Sequence, residues 1–272
     1  MIGKPIDVWD IETFDAVLLS ELHEYAGAIC DYMNTEIINF VTREQSDHRE
    51  IYPKNPHSEY YNWIVEHISD YMNSRTIRAW HYTRLTDDEA GLVRQVGIYP
   101  STLATIRRRL DARTAAGDLT AETADGLFAA SPFHHHSQGV SRSNKFWMTS
   151  HPISHDDIGV ELLLGNWGGE GVYFWLRDPM LEKIVACIGK PRVLELEVPI
   201  SVTSRSHAAA VAVIAAFGRS RGCRPDREAF DLYSTHAIGP EAVIKIHTEL
   251  EPNFMALARG YPAGFAPDKL RA

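Results

Sequence analysis

The stretch Ala79-Trp80-His81-Tyr82-Thr83-Arg84 constrains this chain most. It closes a β-prone run, Thr76–Tyr82, and a helix start signal follows almost at once. In Thr86-Asp87-Asp88-Glu89 a threonine at the N-cap and a glutamate three residues on satisfy two orphan N–H groups. The predicted helix runs to about Val96, where Gly97 ends it. Later strands are short and irregularly mixed with helices. Strict β-α-β-α alternation is absent, and no GxGxxG or Walker sequence follows any strand. The pattern predicts an α+β fold.

The rest of the chain divides around that strand. Residues 1–75 read as a helical N-terminal region: apolar positions recur at helical spacing over Glu12–Val41 and Ser58–Met72, with a polar loop at Ser46–His57. Asp15 or Thr13 is a candidate cap for the first helix. The tyrosines of these helices are read as packing, with a docking face as the alternative. Residues 76–272 read as one domain. Its further expected helices are Leu103–Ala115, about Thr120–Ala129, Pro179–Ile188 and Ser206–Ser220. Its expected strands are Lys145–Ser150, Val172–Leu176, Arg192–Val198, Phe230–Tyr233 and Ala242–Leu250. Ser131–Asn144 reads as a loop. Its three consecutive histidines, His134, His135 and His136, diverge too much to share one ion, so no metal site is expected.

Charge is uneven. Residues 1–74 hold four Lys/Arg against fourteen Asp/Glu, whereas residues 75–145 carry a small positive balance, with Arg107, Arg108, Arg109 and Arg113 on one helix. The total of −9 argues against sequence-blind nucleic-acid binding but leaves room for a local basic groove. Cys30, Cys187 and Cys223 are odd in number and widely spaced, which suggests neither a disulfide framework nor a metal site. The N-terminus lacks the apolar segment of a signal peptide, and no apolar run reaches membrane-spanning length. A cytoplasmic protein without a membrane association is expected.

Three stretches answer one another. Trp80-His81-Tyr82-Thr83 ends an early strand. Gly169-Glu170-Gly171-Val172-Tyr173-Phe174 lies in the middle of the chain, and Pro240-Glu241-Ala242-Val243 opens the last expected strand. Cleaving a nicotinamide–ribose bond passes through an oxocarbenium-like state. It calls for a carboxylate near the ribose, an aromatic face for the nicotinamide and hydrogen bonds to the hydroxyls, with no metal. In order and spacing these stretches resemble the ADP-ribosyltransferase superfamily, on its diphtheria-toxin and poly(ADP-ribose) polymerase side.

That resemblance implies a split mixed β-sheet core, here with the N-terminal helical extension, and NAD as co-substrate. It implies that His81 binds the adenine-side ribose and that the backbone of the next residue, Tyr82, holds the carboxamide, with Thr83 also among the NAD-binding residues. Gly171 and Tyr173 would line the nicotinamide pocket and Glu241 would be the catalytic carboxylate. The polymerases carry a further tyrosine on the following helix. Pro179–Ile188 has none, so Trp167 is a candidate to complete the aromatic clamp. Glu249 and Glu251 rival Glu241 less well, because they follow the apolar run rather than precede it. Each residue also has a plainer reading: His81 as a strand-end histidine, Tyr173 as core, Glu241 as a surface turn.

The function this implies is transfer of ADP-ribose to a protein or nucleic-acid acceptor with release of nicotinamide, as in a bacterial toxin, a toxin–antitoxin pair or a phage-defence effector. Arg107, Arg108 and Arg109 are the candidate acceptor contacts, unless they form only a solvated helix face. The acidic helical region is a candidate for covering that basic segment or for meeting a neutralising partner. The alternatives are an RNA 2′-phosphotransferase-type use of NAD and a non-catalytic binding module that keeps the fold.

Overall fold

The computed structural model describes residues 4–45, 53–257 and 262–265. In chain order its helices and strands are α1 (Ala16–Glu24), α2 (Ala26–Gln45), α3 (Ser58–Asn73), β1 (Thr76–Leu85), α4 (Asp87–Val96), α5 (Leu103–Ala115), α6 (Ala121–Ala129), α7 (His136–Arg142) and β2 (Phe146–Thr149). There follow α8 (Ile158–Gly165), α9 (Glu170–Tyr173), α10 (Pro179–Cys187), β3 (Lys190–Pro199), α11 (Ser206–Ser220), β4 (Asp231–Ser234), β5 (Val243–Thr248) and α12 (Pro252–Leu257). The fold is α+β, and the chain forms two compact units.

The first unit comprises Met1–Arg78, Val198–Phe230 and Gly260–Ala272. It is larger than the helical region expected over residues 1–75, because α11 belongs to it. That helix is buried from Ala209 to Gly218 except at Val211, so it has almost no polar face to present to water and serves as a central helix. Its alanines let α3 approach closely, and Ile64, Val65, Ile68 and Met72 of α3 are sealed from solvent. The single helix expected over Glu12–Val41 is broken in two at Tyr25. Asp15 caps α1 by accepting from the Leu18 N–H at 2.9 Å. Most of the polar loop expected at Ser46–His57 lies outside the described residues.

Cys30 of α2 and Cys223 are joined in a disulfide, with their Cα atoms 5.8 Å apart. This corrects the expectation that the cysteines are unpaired. Residues 193 positions apart give no local signal of pairing; the packing of α2 against α11 brings them together. Among the described residues no helix is long and apolar enough to cross a membrane.

The second unit comprises Ala79–Glu197 and Asp231–Arg259. The strands form one five-stranded sheet in the order β4-β2-β1-β3-β5, rather than the split sheet expected. β1 and β2, β2 and β4, and β3 and β5 pair antiparallel. Trp80 and Tyr82 of β1 and Val193 of β3 pack with Val160 and Leu164 of α8 and Phe254 of α12. A second cluster gathers Ile106 and Leu110 of α5, Leu127 of α6, Val172 of α9, Val185 of α10, and Phe133 and Trp167. The junction after β1 forms as predicted. Thr86 and Glu89 make a reciprocal capping box, and Gly97 closes α4 with φ +82°. A side chain at Gly97 would run into the Ile238 carbonyl at 2.1 Å, so glycine is required there.

Two local expectations fail. Val172–Leu176 is not a strand, since Glu170–Tyr173 is a helical turn. Gly168 and Gly169 both adopt positive φ and turn the chain, and Val172 is drawn into the second cluster beside Trp167. Tertiary packing overrides the β preference of the aromatics there. Ser131–Asn144 is not a plain loop either. Ser131 caps a 3₁₀ turn at Pro132–His134, and α7 follows.

The disulfide gives a direct test. Adding reductant is expected to lower the stability of the chain by about 2–4 kcal/mol. Thermal melts should show Cys223→Ser reproducing the loss and becoming insensitive to reductant.

Candidate functional site

The second unit holds a pocket of about 940 Å³, lined by β1, β2, α4, α5, α7 and the glycine-rich turn at Gly168–Gly171. This is at the upper end of the range for small-molecule sites. Its floor is the end of β1. His81 is partly exposed, and its Nδ1 lies 2.8 Å from the Trp147 carbonyl on β2. A carbonyl only accepts, so that contact assigns the proton to Nδ1 and leaves Nε2 as an acceptor. Burial pushes the ring's pKa down to about 4, and the nearby Arg109 charge adds to the effect. His81 is therefore a neutral acceptor at physiological pH, its ring 4.3 Å from that of Phe146. Thr83, also in the wall, is buried.

Tyr82 lines the pocket, but its own ring is buried. Its hydroxyl donates to the Ile153 carbonyl at 3.1 Å and accepts from the Ile153 N–H at 2.7 Å, which latches the loop after β2.

The opposite wall is built on Glu89. Besides closing the capping box, its carboxylate accepts from Arg109 Nε and from Trp167 Nε1, each at 2.8 Å. Burial alone would raise this carboxyl. The Arg109 charge, the Thr86 N–H and the Trp167 N–H outweigh it and hold the group below the usual carboxylate range. The Arg109 guanidinium lies 4.8 Å over the Trp167 ring. Its Nη2 is buried and has no partner among the described residues, so its two N–H groups are left for a ligand that reaches the wall. Arg108 also lines the pocket, lying 5.8 Å from the Tyr99 ring centroid.

The rim is formed by α7 and the glycine-rich turn. Arg142 pairs with Glu170, donates to Gln138 Oε1 at 2.9 Å and lies 4.1 Å over the Phe174 ring. Gly171 lets this turn approach α5, because a Cβ there would meet Ile106 Cδ1 at 2.8 Å. The Gly171 carbonyl accepts from Ser131 Oγ at 2.7 Å, which ties the turn to the start of the α7 segment.

Of the residues singled out from sequence, His81, Tyr82, Thr83, Gly171, Arg108 and Arg109 share the pocket wall. Four others lie outside it. Trp167 is fully buried behind the wall and acts on it through Glu89 and Arg109. Tyr173 packs against the second hydrophobic cluster, where burial and the Glu170 charge raise its phenol. Arg107 is tied to Asp111 and Asp125 on the outer face of α5. Glu241 is exposed in a 3₁₀ turn at Pro240–Ala242. Its connection to the site is indirect: Ile238 exchanges backbone hydrogen bonds with Ile98, which does line the pocket.

Sequence reasoning missed Glu89, Glu170 and Arg142 as site residues. Glu89 was visible as a capping residue, and Glu170 stood inside the quoted glycine-rich stretch as a spacer. Arg142 carried no signal of its own. The histidines at 134–136 diverge: His134 Nε2 is 3.0 Å from the Phe128 carbonyl, and the His135 ring sits 4.4 Å from Trp175.

No protein-family model, no curated protein and no solved structure matches this chain.

Two tests follow from this geometry. The unfolded His81 ring takes its proton near pH 6.5 and the folded ring near 4. Between those values the unfolded state binds more protons, so His81's contribution to stability is intact above the window and is lost as pH falls through it. Denaturant unfolding at about pH 7 and about pH 5 should show a smaller acid loss for His81→Gln than for the parent chain. His151, also held near 4 by burial, and His155, also lowered by burial, contribute to the remainder. Separately, Trp167→Phe keeps an aromatic face but removes a donor to a largely buried carboxylate and leaves part of the indole's volume empty. It is expected to cost about 2–5 kcal/mol in the same assay, the lost hydrogen bond and the cavity together.

Proposed function

We propose that the second unit binds NAD in this pocket, cleaves its nicotinamide–ribose bond and passes ADP-ribose to a macromolecular acceptor. The observation that carries this reading is His81, a neutral imidazole held by the Trp147 carbonyl in the wall of a roomy pocket, with the buried Nη2 of Arg109, unpartnered among the described residues, in the same wall. A neutral Nε2 accepts from a ribose hydroxyl, whereas an imidazolium could not. Arg109, with Arg108 beside it, supplies cationic donors for a diphosphate. Phe133, Phe146 and Trp147 offer aromatic surface in the same wall for a base or a nicotinamide ring.

The reaction also needs a carboxylate to face the positive charge that develops on the ribose. Glu241 answers to the sequence pattern and Glu170 to the geometry of the wall. We assign the role to Glu170, since Glu241 does not line the pocket. Arg142, paired with it, orients Glu170 until substrate enters. Arg107 drops out as an acceptor contact of the pocket, while Arg108 and Arg109 remain within it. The toxin or defence role and a neutralising partner belong to this proposal through the sequence resemblance alone.

A second reading is a module that binds NAD without cleaving it. It is favoured by the places of Tyr173 and Glu241, both outside the wall. Nicotinamide release from NAD by the purified chain, with protein and nucleic-acid extracts as acceptors, separates the two. Release is expected, and Glu170→Gln should lower it by roughly a hundredfold or more. Loss on Glu241→Gln with Glu170→Gln unaffected would return the role to the sequence assignment. An NAD-dependent rise in melting temperature with no release would establish the binding module.

A further inference from the structure

The first unit carries an ordered aromatic ladder that its own core does not use. On α3, Tyr60, Trp63 and His67 follow one another on one face. Their planes are nearly parallel: Tyr60 and Trp63 lie 5.7 Å apart at 9°, and Trp63 and His67 lie 5.3 Å apart at 7°. Tyr25, at the break between α1 and α2, meets all three rings edge-on at 84–86°. The ladder is fixed at one end as well, because His67 Nε2 is 2.9 Å from Glu21 Oε2. Yet Tyr60 is 51% exposed and Trp63 49%. Rings held parallel by their neighbours while half open to water form a preorganised surface, and contiguous exposed apolar surface of this kind marks an interaction site.

The charges around the ladder decide what fits it. Glu59, Glu66 and Asp70 of α3 and Glu24 of α1 are exposed, and neither helix contains a lysine or an arginine. The basic residues nearby include Arg75 and His207. Arg75 is bound to Asp15 and to the Tyr71 carbonyl, and His207 lies 3.6 Å from Glu66. Nucleic acid would meet like charge here, and a neutral sugar, though its hydroxyls can donate to the carboxylates, would gain no charge attraction from them. An arginine gains from both features, since its planar guanidinium stacks on aromatic faces and forks onto carboxylates.

We infer that the Tyr60–Trp63–His67 ladder, braced by Tyr25, is a docking surface for an arginine-bearing basic segment of a partner protein. The inference stands on the first unit alone and does not depend on NAD chemistry.

The test is fluorescence anisotropy of short labelled peptides titrated with the full chain. The probes are an arginine–glycine repeat, a lysine–glycine repeat and a glutamate–glycine repeat. The arginine peptide should bind, the lysine peptide several-fold more weakly, and the glutamate peptide not at all. Trp63→Ala should weaken arginine-peptide binding by about tenfold. A Glu59→Lys, Asp70→Lys double variant, which leaves every ring in place, should do the same. The double variant should melt with the parent chain, because Glu59 and Asp70 are exposed, whereas Trp63→Ala gives up three ring contacts and is compared at a temperature well below its own melt. Absence of arginine-peptide binding would overturn the proposal, as would binding that survives Trp63→Ala. So would Trp63-dependent binding of a neutral oligosaccharide or of a second copy of the chain in place of the peptide.

Discussion

The pocket depends on one carboxylate. Glu89 takes the Thr86 N–H that opens α4, the indole N–H of Trp167 and the Nε of Arg109. Those three donors come from the end of β1, from the glycine-rich region and from α5, so a single side chain fixes three walls relative to the floor that carries His81. Left unpaired, a carboxylate this buried would be costly, and three donors are what make it tolerable. Arg109, bound at Nε and stacked over Trp167, then has another N–H held at a fixed place in the pocket wall.

Around that frame the site separates two kinds of chemistry. His81 is kept neutral by burial and oriented by a carbonyl, which suits hydroxyl recognition. The cationic groups sit on α5 and α7 and are partly matched by Glu89 and Glu170. Because the pocket is paired rather than uniformly basic, it suits a ligand with a neutral sugar and a compact anionic group better than a long polyanion. On the proposed reading, Arg142 and Glu170 form the rim of the wall and the Glu89 network its frame.

Much of this was legible in the sequence, where local chemistry decides the structure. The Thr86–Glu89 box, the Gly97 stop and the Asp15 cap all form where side-chain caps and glycine demand. His81 was found because a histidine ending a β-run beside a capping box is conspicuous. What failed was decided at a distance. Val172 and Tyr173 have strand preferences, but Gly168 and Gly169 turn the chain and a remote hydrophobic cluster claims Val172. The Cys30–Cys223 pairing and the membership of α11 in the first unit come from helix packing across long separations. Glu241 precedes an apolar strand as expected, yet β5 lies at the edge of the sheet, separated from β1 by β3. A linear pattern does not encode that order.

The most direct measurement is an experimental structure of the chain with NAD. The account predicts NAD in the second unit's pocket, with the adenine-side ribose hydroxyl donating to His81 Nε2 and the diphosphate against Arg109. NAD bound away from His81, or a pocket that stays empty at saturating NAD, would contradict it.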